Sequence, residues 1–320
     1  MSVIRFEVAD VADVRFGISP LWETVRSLYA LADPGRHAVH LPWVREVRHR
    51  ATAGLPFLRD VAAPGAWLPD FLTPPPAGPL VEFSDELALL RATPPDVVTA
   101  DLTATTVRRP LAPRVRAGLE DPEQLLGVLA DAVSAWHEAA ILPYWPRMRS
   151  LLEGDIAHRS RQLAEGGPRR LFDTLHPTVR WAGDRLLADD PWDLDLDLRG
   201  RGLPLMPSVF VDRRVLWNIR SDSPPVAVYP ARAAALLWEG APAPDGLAGA
   251  IGASRARLLA LVRSPATTTE LARRVGLSPA AVSQHLHVLL AAGLVARTPH
   301  GRSVLYLVTH PGTVLLDATT

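Results

Sequence analysis

The chain has 320 residues, 48% hydrophobic and 21% charged, a composition that excludes a disordered protein and leaves room for two domains. All 34 basic side chains are arginine and are balanced by 34 acids, yet the charge is uneven: residues 251–320 hold seven arginines against Glu270 and Asp317, so this segment carries +5 and the remainder −5. Cysteine is absent, which excludes disulfides, thiolate metal sites and cysteine redox switches.

The N-terminus, MSVIRFEVADVADVRF, lacks a basic start followed by an apolar run, and no stretch of 18 apolar residues occurs, so a cytoplasmic protein without a membrane partner is expected. Ile4, Phe6 and Val8 alternate with Arg5 and Glu7 and predict a half-buried strand. Ser19 and Pro20 start a helix with Leu21, Val25 and Leu28 on its apolar face and Trp22 and Tyr29 alongside. The six prolines of residues 64–79 form neither a helix interior nor a central strand, so this stretch reads as a loop. From Asp121 to about Leu187 the pattern is helical, with breaks at Pro143 and Pro146 and at Gly166, Gly167 and Pro168. The segment from Leu203 to Tyr229 is rich in β-formers, and its strands are expected to pair with the first one. The run EGAPAPDGLAGAIG, residues 239–252, reads as an interdomain linker too rich in Pro and Gly to pack.

Beyond it, Ser254 is expected to N-cap a helix buried through Leu258, Leu261 and Val262, with Arg255 and Arg257 toward solvent. Thr267 and Glu270 form a capping box for a second helix, which carries Leu271, Arg273, Arg274 and Val275 and ends at Gly276. A turn of Gly276, Leu277 (tucked inward) and Ser278 leads to a third helix, N-capped by Ser278 with Pro279 in its first turn. Val282, Leu286, Leu289 and Leu290 bury one face of that helix, leaving Ala281, Gln284, His285 and Val288 on or beside the other. Leu294 to Arg297 and Val304 to Val308 are expected to form two strands around a turn of residues 298–303.

Helix, turn, helix and hairpin together read as a winged helix-turn-helix. The string LSPAAVSQHLHVLLAAGLVARTPHGRSVLYLV resembles the recognition helix and wing of the ArsR-type winged-helix regulators of bacteria, with Ser283, His285, Leu286, Leu289, Gly293, Leu294, Val295, Gly301, Arg302 and Tyr306 on matching positions. The resemblance covers about the last 70 residues; the first 250 resemble the additional N-terminal domain, of uncharacterised function, found in long actinobacterial members. It implies a transcription factor, a repressor that releases its operator when a signal arrives. Many relatives sense soft metals through cysteine, and this chain departs from them, so neither a metal nor a cofactor is expected.

The expected fold class is therefore α+β and mostly helical: a mixed α/β sensing and dimerisation domain over 1–240, a linker over 241–252 and a winged helix-turn-helix over 253–320. The expected partners are double-stranded operator DNA, a second copy of the chain and a small-molecule effector. Gln284 is the best base reader, because its amide can bond adenine N7 and N6 together, while the Ala281 methyl suits thymine. Ser283 suits the phosphate backbone, Ser278, Arg273 and Arg274 are further candidates for DNA contact, and Arg297, His300 and Arg302 place cationic and polar groups on the wing. His285 and His287 either meet DNA or, for His285, brace the helix. Beyond Val308, Pro311 and Gly312 leave too little for a packing helix, so dimerisation is expected to rest on the N-terminal domain.

The nine tryptophans all lie within residues 1–240, where they form either an ordinary aromatic core or the walls of an effector pocket. His137, Glu138, Asp155 and His158 could meet across a helical hairpin, but their spacing matches no compact metal motif. His37, His40 and His49 read as surface or boundary residues. No phosphate-binding glycine loop or G-x-S-x-G elbow occurs, and the chain is not expected to be an enzyme. The alternatives are an enzyme or small-molecule-binding domain with an accessory DNA-binding winged helix, and a winged helix used for protein contacts.

Overall fold

A computed structural model describes residues 1–50, 52, 54–62, 68–76, 78–107, 109–211, 213–219, 224–238, 245–300 and 303–317. The chain divides into two compact units, Met1–Trp238 and Glu239–Thr320, giving a helix-rich α+β N-terminal region and a C-terminal winged helix. No single helix among the described residues is long and apolar enough to cross a membrane.

In the first unit β1 (Ser2–Arg5), α1 (Val8–Ala12), β2 (Arg15–Phe16) and α2 (Pro20–Ala32) are followed by α3 (Leu41–Val47) and α4 (Leu55–Val61). Next come α5 (Phe83–Arg91), α6 (Pro95–Thr105), α7 (Pro113–Gly118), α8 (Pro122–Trp136) and α9 (Trp145–Asp173). The strands β3 (Val179–Ala182), β4 (Arg185–Ala188), β5 (Asp195–Asp197), β6 (Pro204–Ser208), β7 (Leu216–Asn218) and β8 (Val226–Pro230) complete it. As expected, Ser19 caps α2, its side chain accepting from Trp22 N, and α9 kinks at Gly167 (φ 66°) before Pro168.

Three expectations change. Helix ends at Asp173, and residues 179–188 form a hairpin in which Val179 and Trp181 lie opposite Ala188 and Leu186. That alternation around Gly183 and Asp184 is a strand signal hidden at the end of a long helical pattern. The strands after Leu203 do not pair with β1: β1 lies between β4 and β5, while β6, β8 and β7 form a second sheet begun by β2. His40 is no boundary residue, being fully buried, with its Nδ1 accepting from Trp238 Nε1 at 2.9 Å.

Three tryptophans, Trp22, Trp43 and Trp136, are buried core residues, while Trp145, Trp181, Trp192, Trp217 and Trp238 are half-buried. Trp43 and Trp136 are buried and meet edge to face at 6.3 Å, their indole N–H groups donating to Ala140 O and Ser27 Oγ. Three titratable groups are buried around the first turns of α2. Glu23 accepts from Val209 N, Glu86 accepts from Leu21 N, and burial pushes each carboxyl up to about 7. His137 sits in a π-helical turn after α8, stacked on Phe83 at 3.7 Å and 2.8 Å from Thr24 Oγ1; burial lowers it to about 4, leaving a neutral ring.

The second unit comprises α10 (Asp245–Ile251), α11 (Ala253–Leu261), β9 (Ala266–Thr267), α12 (Thr268–Val275), α13 (Pro279–Ala291), β10 (Val295–His300), β11 (Ser303–Val308) and α14 (His310–Asp317). Residues 245–251 are thus a helix and not linker: Leu247 is fully buried, and Ile251, four residues on and so on the same face, packs against that core. Residues 239–244 lie outside the described residues. Gly252, not Ser254, caps α11. The tail also differs from expectation. Thr309 Oγ1 accepts from Gly312 N, Pro311 occupies the first turn where its missing N–H costs nothing, and Leu316 is buried, so α14 forms and packs. Gly312 is what allows the close approach, since a Cβ there would collide with the Leu294 carbonyl oxygen.

Candidate nucleic-acid interface

The core of the second unit holds α13 by one face. Val282, Leu286 and Leu289 are at most 1% exposed and share a core with Leu258 and Leu259 of α11, Val262 just after it and Leu271 of α12. Truncating one of these leucines to Ala costs about 2–5 kcal/mol, so the helix's orientation is strongly determined. Entry into α13 is set locally: the Thr267–Glu270 capping box forms as expected, Gly276 turns left-handed at φ 70°, and Leu277 N–H closes back on Ala272 O at 3.2 Å. Leu277 itself is 37% exposed, a correction to the inward placement, because the closure uses its N–H and leaves its side chain at the apex of the turn.

Ser278 Oγ accepts from Ala281 N and so caps α13, while its O–H proton stays available to a phosphate. Ala280, Ser283, Gln284, His287 and Val288 are exposed, whereas Ala281 and His285 are half-buried on the flank. The exposed stripe of α13 is therefore rotated slightly from expectation. Ala280 enters it, a residue that sequence reasoning passed over although its spacing of four from Gln284 puts both on one face.

Arg273 and Arg274 are exposed in the last turn of α12, where cations also complement the helix dipole, and Arg257 Nη2 donates to Arg274 O at 3.3 Å. In the wing, β10 and β11 run in register from Val295 opposite Val308 to His300 opposite Ser303, so both strands extend further than expected, and residues 301 and 302 lie outside the described residues. Arg297 is exposed opposite Tyr306; Arg302 and the His300 side chain lie outside the described residues. A third strand, β9, was missed; it pairs antiparallel with β11 through Ala266 and Tyr306, and two residues are too few to leave a periodic signal.

A helix-turn-helix domain family model matches residues 253–298. This segment is a helix-turn-helix domain. The match spans α11, α12, α13 and most of β10, ending before β11 and α14, and it supports DNA binding by this segment. No curated protein and no solved structure matches the chain.

The other sequence candidates do not converge. Among the described residues no group of three His, Asp or Glu side chains is placed to hold a metal ion. His137 faces Thr24 and Phe83, Glu138 is exposed, and Asp155 accepts from Arg232 N and pairs with Arg159 at 3.7 Å.

Proposed function

We propose that the protein is a cytoplasmic transcription regulator of the ArsR type, a homodimeric repressor that grips operator DNA with α13 and the wing and lets go when a small molecule binds its N-terminal unit. The observation that carries this reading is the exposed stripe of Ser283, Gln284 and His287 on a helix whose opposite face is locked into a core, in a segment of net charge +5. Polar base readers on a rigid helix supply specificity, and the surrounding arginines supply the affinity of phosphate contacts.

Because α14 forms, the helix-turn-helix unit carries a flanking helix of its own, and the argument that only the N-terminal unit could make the dimer no longer stands. A dimer of either kind would present two α13 helices to major grooves about 34–36 Å apart. We read the chain as a regulator and not an enzyme because Glu23, Glu86 and His137, the groups shifted toward neutral forms near pH 7, are buried and already bonded to backbone amides and the Thr24 hydroxyl.

Gel shift of the full-length protein on DNA flanking its own gene, against random DNA, tests the reading. A specificity ratio of about a thousandfold or more supports a regulator. Equal affinity for both would discard it and favour an accessory DNA-binding function.

A further inference from the structure

The face of α13 that points away from its core is chemically uneven. At about 100° of rotation per residue, His287 and Ser283 lie to one side of Gln284, while Val288 and Ala281 lie to the other. Gln284, Ser283, His287 and Val288 are exposed and Ala281 is half-buried, so the Gln284 amide stands between a hydrogen-bonding rim and an apolar one.

Within α13, Val288 is the one large apolar side chain left exposed, at 44%. The core does not account for it, because Val282, Leu286 and Leu289 already fill the buried face at no more than 1% exposure. Phosphate does not account for it either: the side chain has no hydrogen-bonding group, although it sits in a segment of net charge +5. An isolated exposed valine is ordinary on a protein surface, and what sets Val288 apart is its place one turn after Gln284 on the same face. A β-branched side chain in a helix keeps one χ1 rotamer about 90% of the time, so its methyl groups are held at a fixed point and little freedom is lost on contact.

We propose that Val288, with Ala281 beside it, recognises the C5-methyl group of a thymine in the operator. Among the four standard bases this methyl is the apolar group that the major groove displays, so it is the complement of an apolar rim. Four residues of helix rise about 6 Å, under two base-pair steps of about 3.4 Å, which places the thymine within two base pairs of the base that Gln284 reads. The polar rim of Ser283 and His287 then lies on the other side of that base, so the two rims fix the direction in which α13 is laid along its half-site. The inference rests on the reading of α13 as the DNA-reading helix and adds to it a thymine whose methyl group, and not its pairing, is required.

The test uses full-length protein and the DNA duplex it prefers from a random pool. Each thymine within two base pairs of the position that Gln284→Ala relaxes is replaced in turn by deoxyuridine, which removes the methyl group and keeps the pairing, and affinity is read by fluorescence anisotropy. The expected result is one thymine per half-site whose replacement weakens binding about fourfold, the effect of one buried methyl-sized group. Val288→Ala should weaken binding to the thymine duplex by a similar factor and cause no further loss on the deoxyuridine duplex, because both changes remove the same contact. The deoxyuridine series needs no variant, so a misfolded substitution does not blunt it. A preferred duplex with no thymine in that window, indifference to every thymine methyl, or a Val288→Ala loss that adds in full to the deoxyuridine loss overturns the proposal. Sequence-specific binding with any of those results fails this inference alone, whereas equal affinity for all sequences fails the regulator reading and this inference with it.

Discussion

Gln284→Ala is the sharpest test of the proposed DNA-reading face of α13. The side chain is exposed on α13, two residues from the fully buried Leu286, so its loss removes a reading group without opening the core. Stability should shift by no more than about 0.5 kcal/mol, as for surface substitutions in general. A bidentate contact to adenine contributes about 1–3 kcal/mol of discrimination, which at 1.4 kcal/mol per tenfold is roughly a 5- to 150-fold loss of operator affinity. The loss should be confined to one or two base positions. Operator sequences selected from a random pool by the wild-type and variant proteins, followed by fluorescence anisotropy on single-base variants, would display that relaxation. A variant with an unaltered base preference, or one whose affinity falls equally on every sequence, would take Gln284 off the reading face.

Arg297→Ala, on the exposed side of the wing, should weaken binding to all sequences and flatten the log-log salt dependence by about one unit if one phosphate contact is lost; an unchanged slope places Arg297 away from the backbone. The pH dependence of the N-terminal unit is set by opposing carboxyl and histidine contributions, of which the two buried carboxyls are the larger. Glu23 and Glu86, raised from 4.5 to about 7, each contribute stability present below pH 4.5 and lost as pH rises to 7, about 3 kcal/mol apiece at 1.36 kcal/mol per unit. His137, lowered from 6.5 to about 4, acts oppositely and recovers about 3 kcal/mol between pH 4 and 6.5, and His158 and His176, also lowered by burial, act in the same direction, so the histidines offset part of the carboxyls' loss. All nine tryptophans belong to this unit, so a fluorescence-detected melt should show a lower midpoint at pH 7.5 than at pH 5, with Glu23→Gln flattening the trend; a midpoint that rises over that range contradicts the assignment. Stoichiometric zinc, nickel or arsenite should leave DNA binding intact, since the chain has no thiol and no metal-holding cluster among its described residues; release that survives chelator controls and depends on His137 or His158 would refute this.

Local chemistry made the helix-turn-helix legible in the sequence. The Thr267–Glu270 capping box, the left-handed Gly276, the Ser278 cap and the spacing of Val282, Leu286 and Leu289 all act within about a dozen residues, and each is found where the residue types place it. Short elements misled for the same reason: β9 has two residues, and α10 and α14 hold Pro or Gly that read as breakers until their cores are considered. Leu247 and Leu316 stabilise those helices by contacts with residues distant in the chain, which periodicity does not record.

In the N-terminal unit the sequence determined that there would be helices, an aromatic-rich interior and a strand-forming segment. Tertiary structure alone decided which strands pair, because β1 finds its partners about 180 residues away in β4 and β5, and pairing of that kind is chosen by the packing of whole faces. It likewise decided which tryptophan N–H groups find a partner. Trp136 and Trp22 look alike in sequence, but one indole N–H meets Ser27 and the other finds no partner among the described residues, a difference set by what a folded chain brings to within 3 Å.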